Sequence, residues 1–308
     1  MTDDIAAARA AIARTGFFVS ADPLRMHVKR LGGLTNLVFR IDYDGNAYCL
    51  RLPGKGTEEY INRKVEGTAA KAAAKAGVSP DVLWFGDDGV MVTRYLDGTA
   101  TMTPALFKST VGAPLRAGQV FKRLHTSGQT FDFRFELFKM IDEYLRVLAT
   151  KEVAFPGGYH DVLAEAETVR AALNAHPLPL VACHCDPLCE NFLDTGSRMW
   201  LVDWEYSGMN DPMWDLGDLS VEAGFDLVQE EEMLFGYFGT EPSRQERGRM
   251  VIYKAMCDLL WTLWGLIQHA NKNPADDFWA YAVNRFERCK KLMGSASFPA
   301  HVAAVAAG

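Results

Sequence analysis

The sequence predicts an α+β protein of two unequal parts, a small β-rich N-terminal lobe and a larger, mostly helical C-terminal lobe. Alternating apolar and polar residues recur through the first third of the chain, and helical spacing dominates from residue 103 onward. One β-like island, 178 to 206, interrupts the helices. The boundary falls near residue 97, giving lobes of 1–96 and 97–308.

The opening "MTDDIAAARAAIARTG" is acidic first and too polar for a signal peptide, and reads as an amphipathic helix. "LRMHVKRL" (24 to 31) alternates like a strand, and "GGLTN" (32 to 36) follows as a Gly-rich turn. "LVFRIDY" and "AYCLRLP" are strands joined by "DGN", a hairpin signal. "GTEEYINRKVEGTAAKAAAKAG" (56 to 77) is expected to be one long helix that Gly77 stops. "VLWF" and "VMVTRYL" around "GDDG" form a second hairpin. Beyond it, "PALFKSTVGAPLRAGQVFKRLHTSG", "FELFKMIDEYLRVLAT" and "GYHDVLAEAETVRAALNAHP" read as helices. In the island, "NFLD" and "MWLVDW" are short strands around the turn "DTGS". Long helices resume, and the tail "SASFPAHVAAVAAG" is expected to be loosely attached.

The 308 residues are 49% hydrophobic and 23% charged, with a net charge of −7. Disorder is excluded by that balance. An acidic chain without a Lys/Arg run argues against nucleic acid and anionic membrane as partners. No apolar run is expected to reach the roughly 20 residues of a membrane span. Six cysteines at 49, 183, 185, 189, 257 and 289 form no CxxC pair, which suits a reduced, cytoplasmic protein.

The densest motif is "HCDPLCENF", 184 to 192. Asp186 precedes Asn191 by five positions, and Asp203 lies 12 further on, across what reads as a hairpin. An Asn and an Asp offering oxygen suit Mg²⁺ carried in with nucleotide phosphates, while a separate Asp can accept the proton of a hydroxyl. That order and spacing match the catalytic loop and metal-binding Asp of phosphoryl-transfer kinases, with His184 as a loop-organising residue. The bland alternative is an Asp-Pro turn followed by a hairpin with unrelated polar caps. A thiolate zinc site is disfavoured, because Cys183, Cys185 and Cys189 lack a second ligand pair; on a strand Cys183 and Cys185 would share one face as apolar filler.

Weaker signals accompany it. "GGLTN" can let backbone amides approach phosphate, although a plain hairpin turn explains it equally. Arg51 ends a strand and Glu66 lies in the following helix, an arrangement that can hold α- and β-phosphates. Lys55, Glu58 and Glu59 compete for those roles, and ordinary surface charge remains open. Trp261 and Trp264 share a helix face, with Tyr281 in the next helix and Tyr206 just after Asp203. Such aromatics can box an ammonium group, with Glu205, Asp218 and Glu222 adding negative field; core packing explains the spacing as well.

With these residues in view, the chain resembles the choline/ethanolamine kinase family, within the wider group that includes aminoglycoside phosphotransferases, from about Gly32 to Tyr281. The anchors are "GGLTN", "YCLRLPGKGTEEYINRKVE", "HCDPLCENF", "LVDWEYSGMNDPMWDLGDL" and "LLWTLWGLIQ". "DWEYSGMN" is the most specific, since a generic kinase would show DFG-like residues there. "RLPGKGTEEYINRK" looks most like the bacterial branch. The resemblance implies a two-lobe protein-kinase-like fold and phosphoryl transfer from ATP, with Mg²⁺, to choline, ethanolamine or a close amino alcohol. It implies Asp186 as base, Asn191 and Asp203 as metal ligands, and Asp215 as a brace for the catalytic loop. Arg51 and its partner Glu66, with Gly33, Thr35 and Asn36, would face the phosphates, and Tyr95 and Leu96 the adenine. Trp261, Trp264 and Tyr281 would wall the acceptor pocket beside Tyr206 and Glu222. The stretch after Glu222, "AGFDLV", lacks the aromatics of eukaryotic choline kinases and leaves Phe225 as the candidate for one wall. Phosphorylation of an aminoglycoside or another small alcohol is the second reading, and a non-catalytic nucleotide-binding protein of the same fold the third.

Overall fold

A sheet of antiparallel strands forms the N-terminal part, and helices around a second, larger core form the rest. The computed structural model describes residues 2–32, 36–54 and 61–308. Gly33 and Thr35 of the Gly-rich turn, and the competing charges Lys55, Glu58 and Glu59, lie outside the described residues.

Helix α1 (Thr2–Arg14) lays Ala8, Ala11 and Ile12 on the sheet. Strand β1 (His27–Gly32) starts later than the alternation suggests, because Pro23–Arg25 forms a short 3₁₀ turn whose amide at Leu24 is held by the Asp22 side chain. Strands β2 (Leu37–Tyr43) and β3 (Asn46–Leu52) pair through a tight hairpin. Its turn residues Asp44 and Gly45 both take positive φ, 50° and 74°, matching the twist of the flanking strands. Strands β4 (Val82–Phe85) and β5 (Met91–Arg94) complete the order β1-β2-β3-β5-β4. Helix α2 runs only over Arg63–Lys75. Asn62 stops it from starting earlier by accepting the amides of Lys64 and Val65 as an N-cap. Its alanine face (Ala69, Ala70, Ala73) joins the larger core, so this helix ties the two parts together.

Past the sheet, β6 (Ala100–Thr101) pairs with β8 (Phe192–Asp194), and β8 with β9 (Met199–Leu201). The single helix expected over 104–128 is two, α3 (Pro104–Ser109) and α4 (Ala113–His125). Thr110 is extended and Gly112 takes φ 73°, which breaks the hydrogen-bond ladder between them. Helices α5 (Leu137–Leu148) and α6 (Tyr159–Ala175) lead into β7 (Val181–Cys183), which pairs with β10 (Gly208–Asn210). Then follow α7 (Met213–Ala223), α8 (Leu227–Phe238), α9 (Arg244–Ala270), α10 (Phe278–Met293) and α11 (Phe298–Ala307).

Two expectations need correction. Helix α9 is long and apolar enough by length and composition to cross a membrane, yet 78% of its apolar window is buried inside the protein against α5, α7, α10 and α11. The tail is not loose: α11 buries Phe298 and Val305 against α6 and α9. Its apolar small residues are a docking face rather than a linker.

Helices α4 and α8 cross with almost no space between them. A Cβ at Gly118 would fall 2.0 Å from the Met233 carbonyl oxygen, and one at Gly236 2.1 Å from that of Leu115. Backbone cannot yield as a flexible side chain does. Gly118→Ala is therefore expected to destabilise the fold by about 1–3 kcal/mol or more. A thermal melt checks this, and an unchanged midpoint would mean that the crossing is looser than described.

Candidate active site

The loop after β7 is held from below by one buried carboxylate. Asp215, in the first turn of α7, accepts the amide of His184 on Oδ2 and that of Cys185 on Oδ1, each at 2.8 Å. His125 Nε2 meets the same Oδ2 at 3.0 Å, and its Nδ1 faces the Tyr237 hydroxyl at 3.0 Å. Trp214 Nε1 donates to the Cys185 carbonyl, and Ser207 Oγ to that of His184. His184 is fully buried, with its ring on Trp204 and Nε2 2.9 Å from the Val202 carbonyl. Burial holds its pKa below the ordinary value, so the ring is neutral and Nε2–H donates. Cys185 takes φ 68° and has left the strand, so it does not share a strand face with Cys183 as the alternation suggested.

This framework presents Asp186, which is half-buried. Burial pushes its carboxyl well above the usual range, and Asp218, Glu222, Asp203 and Glu205 add repulsion. Asn191 Nδ2 donates to the Asp186 carbonyl at 3.0 Å, which turns the amide oxygen the other way. The Asn191 carbonyl accepts the Val202 amide, and Phe192 pairs with Leu201, so the hairpin carries Asn191 up to Asp203. Asp203 adopts φ 68°, a left-handed conformation that Asp tolerates better than most residues.

Asp203 faces a network from the N-terminal part. Arg51 binds it at 3.0 Å and forms a buried ion pair with Glu66. Asn36 Nδ2 reaches both Asp203 (3.2 Å) and Glu205 (3.3 Å), and Asn36 Oδ1 accepts the Gly54 amide. Arg63 links Glu66 (2.7 Å) to Glu205 (3.2 Å). Glu205 is pushed up to about 7 by burial and Asp203, against the pull of Arg51. Sequence reasoning missed Arg63: its only signal is a cation one helical turn before Glu66. At the sheet's end Tyr95 donates its amide to Ala47, its ring lies 4.4 Å under the Arg40 guanidinium, and the Leu96 carbonyl accepts from Thr99 Oγ1.

On the opposite side the aromatics converge. Tyr206 meets Trp261 edge-on at 5.5 Å, Trp261 meets Trp264 at 6.4 Å, and Trp264 meets Tyr281 at 5.7 Å. Trp264 Nε1 donates to the Tyr206 hydroxyl at 3.1 Å. Glu222 forms an ion pair with Arg285, whose guanidinium also covers the Tyr281 ring at 4.9 Å. Phe225 packs edge-on against Phe107, and among the described residues it makes no ring contact with these four aromatics. Arg285 was not foreseen, because its partners Asp258 and Glu222 lie 27 and 63 positions away along the chain, beyond any short sequence interval.

The thiols remain filler. Cys183, Cys185 and Cys189 are buried, and burial raises each pKa, which keeps them protonated and poor metal ligands. Cys183 lies near His125 and Asp215, but Asp215 already serves the loop amides.

The choline/ethanolamine kinase family pattern matches residues 28–240. A choline/ethanolamine kinase family protein from Mesorhizobium loti is 60% identical, with a TM-score of 0.91 over 99% of this chain and 100% of that one. The choline kinase LicA from Streptococcus pneumoniae is 29% identical, with a TM-score of 0.73 over 87% of this chain and 93% of its own. Protein LicA of Haemophilus influenzae is 26% identical over 271 residues, or 85% of this chain and 78% of that protein. With the family pattern covering well over half of its length, this chain belongs to the choline/ethanolamine kinase family, phosphotransferases with an alcohol acceptor.

Proposed function

We propose that the chain transfers the γ-phosphoryl group of ATP to the hydroxyl of a small amino alcohol of the choline/ethanolamine class. The observation that carries this reading is that Asn191 is bonded to the Asp186 carbonyl and, through the Val202 amide, to the strand end before Asp203, with Arg51 of the sheet tied to Asp203. Residues 1–96 would form the nucleotide lobe and 97–308 the catalytic and acceptor lobe. Binding of an adenine nucleotide is supported by a LicA structure in complex with AMP. A kinase using cellular ATP, with all six cysteines free, fits the cytoplasm.

In the reaction the acceptor hydroxyl oxygen bonds to the γ-phosphorus, the bond to the β-bridging oxygen breaks, and ADP leaves. Asp186 takes the hydroxyl proton. Positioning and neutralisation of charge supply most of the acceleration in such transfers. Arg51, oriented by Glu66, would face the α- and β-phosphates, with Gly33, Thr35 and Asn36 over the phosphates and Tyr95 and Leu96 beside the adenine. The donors at Asp203 and Asn191 are all oxygen, and the Asn191 amide nitrogen is already turned to the Asp186 carbonyl, so this pair fits a hard divalent ion such as Mg²⁺. When bound, that ion supplies neutralising charge between phosphate oxygens. Asp215 and His184 position Asp186 without touching substrate. Trp261, Trp264, Tyr281, Tyr206 and Glu222 would surround the acceptor amine.

ADP release over a panel of choline, ethanolamine, aminoglycosides and sugars tests the reading. Activity is expected with the amino alcohols; activity on aminoglycosides alone would overturn it. In Asp186→Ala turnover should fall about 10²- to 10⁴-fold with ATP binding retained, as for loss of a general base. Near-normal turnover would remove Asp186 from that role.

The pH profile follows from the raised Asp186 carboxyl. A base works only when deprotonated, so the rate is lost as pH falls through its pKa. The acid limb of kcat/KM is expected above the ordinary Asp value of about 3.9. A limb at or below that value would contradict the described surroundings of Asp186.

Trp264→Ala removes the ring that joins Tyr206 to Tyr281. It should raise the amino alcohol KM far more than the ATP KM. Equal effects on both substrates would place Trp264 outside the acceptor pocket.

A further inference from the structure

Beneath the aromatic set lies a buried group of acids whose members are not equally satisfied. Asp258 is held by Arg285 at 3.2 Å and by Arg288 through two bonds of 3.1 and 2.6 Å. Glu222 is paired with Arg285. Among the described residues Asp218 has no cation bonded to it: its Oδ1 accepts the Cys257 thiol at 2.8 Å, and its buried Oδ2 meets no hydrogen-bond partner there. Asp218 is 1% exposed. Burial and then Glu222 push the Asp218 carboxyl well above the usual range, so only a cationic donor at the orphaned oxygen would hold it ionised.

The position of Asp218 says which donor. It lies one helical turn from Asp215 on α7, and its carboxylate, that of Glu222 and the Cys257 sulfur are within 4.8 Å of one another. Cys257 is one turn before Trp261 on α9, so the sulfur that Asp218 meets and the aromatic set share a face of that helix. It is also the charge that most strongly raises the Asp186 carboxyl, after burial itself. A two-carbon amino alcohol holds its nitrogen roughly 3–4 Å from its hydroxyl oxygen, by standard bond lengths and staggered torsions. With its hydroxyl at Asp186, such a molecule keeps its nitrogen within reach of the acids whose charge acts on Asp186, Asp218 first among them.

Resting on the function proposed above, we infer that Asp218 is the specificity-determining residue for the acceptor, receiving an N–H from the amine, so that amino alcohols bearing N–H are preferred to quaternary ones. A primary ammonium offers three N–H donors and can satisfy Oδ2. A trimethylammonium group offers none and would leave the oxygen desolvated and unpaired. Sites built to hydrogen-bond an N–H discriminate strongly against analogues that lack it. The aromatic set does not reverse this preference. One face of Tyr281 is covered by Arg285, and the other rings meet mainly edge to face, which limits the π surface open to a bulky cation.

The test is kcat/KM by ADP release for ethanolamine and its N-methyl, N,N-dimethyl and N,N,N-trimethyl forms, at saturating Mg-ATP. In the wild-type protein kcat/KM should drop most sharply at the last methylation, where the final N–H disappears. In Asp218→Asn the ratio of ethanolamine to choline should fall about ten- to 100-fold, the range expected for one charge-assisted hydrogen bond. Equal losses on both substrates, or a wild-type protein that uses choline as well as ethanolamine, would overturn the assignment. The wild-type series decides the matter even if the variant fails to fold. Absence of turnover across the whole series would instead sink the kinase reading itself, and this assignment with it.

Discussion

Both carboxylate oxygens of Asp215 are committed to the backbone of the loop before Asp186. Everything else at the site depends on that constraint. The loop leaves β7 with Cys185 in a left-handed conformation, which an ordinary strand exit would not adopt. Two amides pinned to one buried acid make that conformation the stable one. His125 and Tyr237 extend the hold to α4 and α8. Those two helices approach closely because glycine faces backbone at the crossing. A contact between two helices thereby helps set the position of the loop that carries Asp186.

The second organising feature is electrostatic. Asp203, Glu205 and Glu66 lie close together, and Arg51 and Arg63 with the Asn36 amide keep them from repelling one another. These carboxylates are thus already largely neutralised by neighbouring side chains. Nucleotide phosphates entering there would exchange partners with Arg51 rather than meet a bare cation. Binding strength is then a difference between two networks, which is smaller than either alone.

Much of this was legible in the sequence. Alternation and turn chemistry placed β2 and β3 with their connecting turn, and spacing brought Asp186, Asn191 and Asp203 into one motif. Local signals did less well where a single residue overrode periodicity. Asn62 delays α2, and Gly112 splits α3 from α4. The small apolar residues of the tail looked unstructured because their partner faces, on α6 and α9, are far away in sequence. Arg63, His125 and Arg285 were missed for the same reason. Their importance comes from partners on other elements, and no short interval encodes such a contact.

Helix α9 has 27 residues and, at about 1.5 Å per residue, is roughly 40 Å long. It carries Asp258, Trp261 and Trp264 on the same rod that packs against α5, α7, α10 and α11. An alteration of its pocket face therefore disturbs several neighbouring helices at once. Tyr281 and Arg285 sit on α10, a shorter helix that packs mainly against α9 and α11, whereas α7 also carries Asp215. Evolutionary change on this side of the molecule has its freest room on α10, while α9 acts as the fixed rail along which such changes are registered.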